Sequence, residues 1–177
     1  MKQALIFLSL ATVLLFGSCS KKNNVSLKST ITATVDGQVM NFNVNAYARN
    51  VLSGDPKLWT TSLTIQGATS SAKPYGSILL AIASPRTNPV TLGTFDTDSK
   101  KNNPPVFVEL GYDYIHVGDF IPAFNTDTTG VQPTVITISS YSNTNVAGTF
   151  SGILVAQDGS SIKTITNGSF NVSWQQQ

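Results

Sequence analysis

Apolar and polar residues alternate in short stretches along this chain, and the first of these stretches predicts how two strands pair. Apolar residues recur at alternate positions in residues 25–35 and, in the opposite parity, in residues 40–46. Asp36-Gly37 between them suits a two-residue type I′ turn, because both residues of that turn need positive φ. The predicted cross-strand pairs are Val35 with Gln38, Ala33 with Met40, Thr32 with Asn41, and Ile31 with Phe42. Apolar side chains meet on one face in this register, so the pattern and the turn predict the same β-hairpin.

Short runs rich in Thr, Val, Ile and Phe continue to the C terminus, separated by Gly, Asn, Asp and Pro. Such runs predict β-strands. The further strand candidates are residues 58–66, 77–84, 90–95, 106–117, 134–141, 146–157, 162–166 and 170–174. Residues 118–132 have no periodic pattern and are expected to be irregular. The alternation is lost at Gly111, where we expect a bulge, and Asn167-Gly168 predicts a turn or a second bulge.

Strands of this number and length, about nine to ten in all, predict an all-β fold. We expect an antiparallel β-sandwich, with a calycin-like β-barrel as the alternative architecture. Residues 29–177 are enough for a single all-β domain with its own core. The residues expected in that core include Phe42, Trp59, Trp174 and the apolar run 78–82.

Residues 1–18 have a different character from the rest of the chain. Lys2 is followed by a nearly continuous apolar run from Ala4 to Phe16, and small residues close the run before Cys19. The run is shorter than the ~20 residues that span a bilayer, and its flanks are those of a signal peptide, which we expect to be helical. The junction resembles a bacterial lipobox, although Phe16 stands where that motif prefers leucine. The resemblance implies that residues 1–18 are removed and that Cys19 is lipidated.

Residues 19–28 are polar and poor in apolar side chains, which predicts a flexible tether between the lipid and the domain. Two or three acyl chains hold a protein stably on a membrane, so Cys19 would be the membrane contact of the mature protein. An ordinary cleaved signal followed by a free cysteine is the alternative. An acidic tract after the cysteine, which resembles a surface-export signal in Bacteroidota lipoproteins, is missing from this sequence. We therefore expect the outer membrane of the cell envelope, with a periplasmic or a surface-facing domain.

The composition limits the classes of function. Charged residues make up 11% of the chain and the formal net charge is +2, so no strong positive field attracts nucleic acid. Cys19 is the only cysteine, which excludes an intramolecular disulfide and a cysteine-based metal site. No cofactor is expected.

The titratable residues do not form a recognisable catalytic motif. His116 is the only histidine, and the chain has no Gly-x-Ser-x-Gly elbow for a nucleophilic serine. Glu109 and Asp113 lie four residues apart, which is ~13 Å along a strand. Glycosidase carboxylates lie about 5–9.5 Å apart, so this pair does not fit that chemistry. We therefore expect a protein that is not an enzyme.

Two short acidic motifs have functional and structural interpretations. Asp96-Thr97-Asp98 opens like a calcium loop, but Lys100 and Lys101 follow where such a loop needs a ligand and a glycine, so a solvated turn is the better interpretation. Asp127-Thr128-Thr129 resembles the acceptor motif for O-glycosylation in exported Bacteroidota proteins. A simple turn is the alternative there as well.

Tyrosines are the best candidates for ligand contact. Tyr112 and Tyr114 lie two residues apart on one predicted strand and would form an exposed stacking platform for sugars, because tyrosine combines an apolar ring with a polar tip. Tyrosines at the rim of a sheet are the structural alternative. The further candidates of this kind are Tyr47, Tyr75 and Tyr141.

Three short segments resemble those of a family of small, uncharacterised, secreted Bacteroidota lipoproteins. They are Thr34-Val35-Asp36-Gly37, residues 146–152 and residues 165–170, which add an early hairpin and two closing glycine–x–phenylalanine strands to the lipobox. The resemblance implies export and an all-β fold, and it implies no activity. We expect a lipid-anchored envelope protein with a non-catalytic interaction or structural role. A glycan- or small-ligand-binding accessory lipoprotein is the alternative, so the partners would be the membrane and a glycan or an envelope protein.

Overall fold

The computed structural model describes residues 28–52, 61–85, 89–98, 106–115, 123–126 and 133–175. These ranges form eleven β-strands: β1 (Thr30–Val35), β2 (Gln38–Asn41), β3 (Val44–Leu52), β4 (Thr61–Ala68), β5 (Tyr75–Ser84), β6 (Gly93–Asp96), β7 (Phe107–Ile115), β8 (Phe124–Thr126), β9 (Val135–Tyr141), β10 (Asn145–Ala156) and β11 (Ile162–Ser173). They contain no helix, and so none that is apolar and long enough to cross a membrane. The predicted all-β class is confirmed.

All described strands belong to one antiparallel sheet that curls into the shape of an open barrel. The strand order is β2-β1-β11-β10-β8-β7-β5-β4-β3, and β9 pairs with β10 and carries β6 on its other edge. The curl brings the two flanks together, because Ala48 of β3 forms a bridge with Trp174, just after β11. The concave face of the sheet holds a continuous apolar core. Curling thus lets one sheet bury its own inner face.

The predicted hairpin is confirmed in its register and in its turn. Val35 pairs with Gln38 and Ala33 with Met40. Asp36 and Gly37 have φ values of 48° and 82°, the positive values that a type I′ turn requires. The inward side chains of β1, such as that of Ile31, are buried, and that of Met40 in β2 is partly buried. This turn fixes one end of the molecule, where the candidate site lies.

One of the two expected bulges is present. The pairing of β10 with β11 shifts between Phe150 and Gly152, opposite Asn167, which has a φ of 51°. The strand continues through this bulge instead of turning. The expectation of a bulge at Gly111 is wrong, because β5 and β7 pair residue by residue without a shift from Tyr75 to Ala83.

Two further expectations need correction. Part of the segment expected to be irregular forms β8, which pairs with both β7 and β10. Trp174 is half-buried at the edge of the core and packs edge-on against Tyr141, with ring centroids 5.3 Å apart. Phe42 is fully buried, as expected. Trp59 lies outside the described residues.

Candidate functional site

A cleft of about 440 Å³ opens at the end of the curled sheet where the β1–β2 turn lies. We call it the mouth cleft. The β1–β2 hairpin, the β4–β5 connection and the ends of β5, β7 and β11 surround it. Its lining residues are Val35, Asp36, Gln38, Met40, Thr69, Pro74, Tyr75, Tyr112, Tyr114 and Lys163. The volume lies within the ~300–1,000 Å³ that small-molecule sites occupy.

The structure brings Tyr112 and Tyr114 to this cleft, but it corrects the expected exposure of Tyr112. Since β7 has no bulge, Tyr112 shares the inward face with Leu110, and only 5% of its surface is exposed. Tyr114 lies one step nearer the end of the strand, is half-buried, and packs against the edge of the core. The two rings therefore do not form an exposed platform: Tyr112 forms part of the floor and Tyr114 part of a wall.

Aromatic and sulfur contacts hold Tyr112 in place. Its ring meets Phe42 edge-on at 6.2 Å between centroids, and Phe124 at 6.4 Å. Its hydroxyl donates a hydrogen bond to Sδ of Met40 over 3.8 Å. Burial raises the pKa of Tyr112 above its ordinary value of 10.0, and the nearby Tyr114 and Asp36 add to this effect. At neutral pH the floor of the cleft thus carries an uncharged phenol.

Tyr75 provides a second half-buried ring at the rim. It is the first residue of β5 and pairs with Ile115 at the end of β7. The connection that precedes it is tied back to the sheet, because the backbone N–H of Gly76 donates to Oγ1 of Thr69 over 2.9 Å. The N–H of Thr69 in turn donates to the carbonyl oxygen of Gly76 over 2.8 Å. This reciprocal pair places Thr69 and Tyr75 on the same side of the cleft.

An ion pair forms the polar rim of the cleft. Nζ of Lys163 donates to Oδ2 of Asp36 over 2.6 Å, and the backbone N–H of Thr164 donates to Oδ1 over 2.8 Å. Partial burial disfavours the charged carboxylate. The two hydrogen bonds and the positive charge of Lys163 outweigh that effect, so the pKa of Asp36 lies below its ordinary value of 3.8. The Lys163 ammonium also lies 5.5 Å from the ring centroid of Phe124, within cation–π range.

The other candidates from the sequence do not join the mouth cleft. Glu109 and Asp113 lie on the outer face of β7, and Asp96–Asp98 form a turn in which the N–H of Asp98 donates to Oδ1 of Asp96. His116, Cys19 and residues 127–129 lie outside the described residues. Within the described ranges, no three His, Cys, Asp or Glu residues come close enough together to hold a metal ion.

Sequence reasoning missed most of the polar lining. The sequence marks Asp36 only as a turn residue, and Lys163 carries no sequence signal. The two come together because β1 pairs with β11, a contact between residues that lie 127 positions apart. The sequence predicts Met40 and Gln38 as hairpin residues, and the confirmed hairpin register places them beside the Asp36 turn.

Comparison of the chain with protein-family models, with curated proteins and with solved structures finds no match.

Proposed function

We propose that this chain is a lipid-anchored protein of the bacterial cell envelope that binds a glycan in its mouth cleft and does not act as an enzyme. The proposal rests on one observation: the mouth cleft combines two half-buried tyrosines, Tyr75 and Tyr114, with a rim of hydrogen-bonding side chains. Between a general interaction or structural role and glycan binding, this geometry favours glycan binding.

The chemistry of the lining suits a sugar. A sugar ring has apolar C–H faces, which pack on aromatic rings such as those of Tyr75 and Tyr114. It also has a belt of hydroxyls, each of which donates and accepts hydrogen bonds. The amide of Gln38, the carboxylate of Asp36 and the ammonium of Lys163 offer both kinds of partner at the rim. The few polar groups would orient the ligand while the aromatic wall supplies contact area.

The position of the tether favours access to the cleft. β1 begins at Thr30 and runs toward the turn at Asp36, so the chain enters the sheet at the end opposite the mouth. The six residues of β1 span ~20 Å. A lipid on Cys19 would therefore be joined to the domain at its far end, which leaves the mouth cleft clear of the attachment point.

The anchor itself rests on the sequence. A signal-like apolar run, small residues and the single Cys19 together favour lipidation in a bacterial envelope. The resemblance to Bacteroidota lipoproteins favours the outer membrane, facing the periplasm or the exterior.

Glycan binding is tested with the detergent-solubilised lipoprotein on an array printed with cello-, malto-, xylo-, manno- and N-acetylchito-oligosaccharides of one to six units. We expect retention of at least one series. Gln38→Ala and Tyr114→Ala should each weaken that binding about tenfold, or ~1.4 kcal/mol. Retention of no glycan would overturn the assignment.

Two matched control variants test whether glycan binding depends on the mouth cleft or on other parts of the surface. Gln157 is an exposed glutamine in the β10–β11 turn, and Tyr141 is a half-buried tyrosine beside Trp174; neither lines the mouth cleft. Gln157→Ala and Tyr141→Ala should leave glycan binding unchanged. Equal loss in the control and the cleft variants would contradict a site at the mouth.

A further inference from the structure

A second concave site lies next to the mouth cleft, on the outer face of the sheet. It has a volume of about 340 Å³, and we call it the outer pocket. Strands β3, β4, β5 and β7 supply its walls. Its polar lining residues are Asn45, Gln66, Ser77 and Asp113, and its apolar ones include Val44, Ala68 and Leu79.

A bulge in β3 shapes the outer pocket. The pairing of β3 with β4 shifts between Val44 and Tyr47, and Asn45 within the shift has a φ of 51°. Asparagine tolerates this left-handed backbone better than most residues do, but the conformation is still uncommon inside a strand. Bulges redirect side chains and occur often beside functional sites. Here the bulge places Asn45 at the pocket wall.

The four polar groups of the outer pocket converge from four neighbouring strands. Ser77 pairs with Ala68 on one side and with Asp113 on the other, so the hydroxyl and the carboxylate lie side by side on the outer face. No hydrogen bond or ion pair involving the Asp113 carboxylate occurs within the described residues. Neighbouring groups remove part of its hydration, which raises its pKa above the ordinary value of 3.8. The carboxylate therefore offers an acceptor to a ligand.

Tyr75 connects the two sites. This residue lines both the mouth cleft and the outer pocket, so the two concavities adjoin at the rim of the sheet. By the alternation along β5, Tyr75 shares the outer face with Ser77 and Leu79, and it is half-buried at the first position of the strand. A ligand that fills both sites must cross the edge of the sheet beside Tyr75.

We propose that the outer pocket is a second subsite, and that one oligosaccharide chain occupies the mouth cleft, crosses Tyr75 and continues into the outer pocket. This inference rests on the proposed glycan binding and adds to it the size class of the ligand. An extended chain fits because the two sites adjoin without merging, and because hydroxyl, amide and carboxylate groups line the second as well as the first. A monosaccharide would occupy only one of them.

The length dependence of binding tests the inference on the same printed series. We expect the dissociation constant of the wild-type lipoprotein to fall at least tenfold from the disaccharide to the tetrasaccharide. Asp113→Ala and Ser77→Trp should remove most of that gain and leave disaccharide binding unchanged. Glu109→Ala is the matched control, since Glu109 lies on the same outer face of β7 and lines neither site.

The outcomes distinguish this inference from the proposed function. Binding with no dependence on length would overturn the second subsite and leave the mouth cleft as the site. If both Asp113→Ala and Ser77→Trp still bind the tetrasaccharide more tightly than the disaccharide, the added sugar units lie elsewhere. That result would also overturn the second subsite. Retention of no glycan would remove both proposals. Thermal unfolding checks that each variant folds, and Asp113→Ala, on an exposed strand position, remains usable if Ser77→Trp does not fold.

Discussion

Asp36 and Lys163 form an ion pair of 2.6 Å at the rim of the mouth cleft, although 127 residues separate them in the chain. Asp36 lies in the first hairpin turn and Lys163 near the start of the last strand. The pair therefore joins two ends of the sequence at one end of the sheet. It also closes part of the rim, so that its charges face the cleft instead of the core.

Asp36→Asn tests the energetic contribution of this pair. The side chains are 32% and 43% exposed, so we expect a loss of at most about 1 kcal/mol of unfolding free energy at pH 7. The pKa of Asp36 is lowered in the fold, so the carboxylate stabilises the native state above pH ~4. That stabilisation disappears as the pH falls through the lowered pKa. Urea unfolding of both proteins between pH 2 and 7 should show a difference that vanishes at the acidic end. If the difference in unfolding free energy between wild type and Asp36→Asn is constant with pH, the result would contradict a stabilising Asp36–Lys163 ion pair.

Tyr112→Phe tests the buried phenol in the floor of the cleft. The pKa of Tyr112 is raised, so its protonated form stabilises the native state up to pH ~10, and that stabilisation is lost as the pH rises through the folded pKa. The wild-type protein should therefore lose unfolding free energy above pH ~10, and Tyr112→Phe should lose less. Tyr141→Phe, at a half-buried tyrosine outside the cleft, serves as the control for removal of a phenol hydroxyl. If the unfolding free energies of wild type and Tyr112→Phe fall equally above pH ~10, the result would contradict a buried Tyr112 hydroxyl.

Gly148→Ala tests the close approach of β9, β10 and β11. A Cβ at Gly148 would collide with the backbone carbonyl oxygen of Thr137 and would lie 2.6 Å from Cζ of Phe170. The Thr137 backbone cannot move aside without disturbing the sheet, so we expect a loss of about 3 kcal/mol in unfolding free energy. Gly111→Ala is the control, because the nearest atom there is the side-chain Oδ1 of Asn125 at 3.3 Å. Its stability should stay within about 1 kcal/mol of wild type, and equal losses in both variants would disprove the packing argument.

Cys19→Ser tests the lipid anchor in the native cell. The wild-type protein should incorporate labelled palmitate and sediment with the outer membrane, because two or three acyl chains anchor stably. Cys19→Ser should take up no label and leave the outer-membrane fraction. Label in the variant, or an unmodified Cys19 in the mature wild-type protein, would contradict the anchor.

Local features of the fold were predictable where neighbouring residues specify the geometry. The register of β1 with β2 follows from a two-residue turn and from the parity of the residues on either side of it, and both are visible in the sequence. The bulge at Asn167-Gly168 likewise has a local signal, because asparagine tolerates the positive φ that Asn167 adopts there.

Features that depend on distant pairing were not predictable in this way. Gly111 has no side chain, so the sequence does not show whether the strand continues its alternation there. The full pairing of β5 with β7 continues it and turns Tyr112 inward. β8 is only three residues long, and its strand conformation depends on its pairing with β7 and β10. The mouth cleft needs β1 beside β11, which no local pattern indicates.

The central claim is that a glycan binds at the mouth of the sheet, and backbone amide NMR of the ¹⁵N-labelled protein tests it most directly. The titrant is the disaccharide that binds most tightly on the printed array, because the mouth cleft alone accounts for its binding. We predict that shift changes concentrate at Asp36, Gln38, Thr69, Tyr75, Tyr114 and Lys163. Changes concentrated instead around Tyr141 and Trp174, or no changes at saturating sugar, would contradict the account.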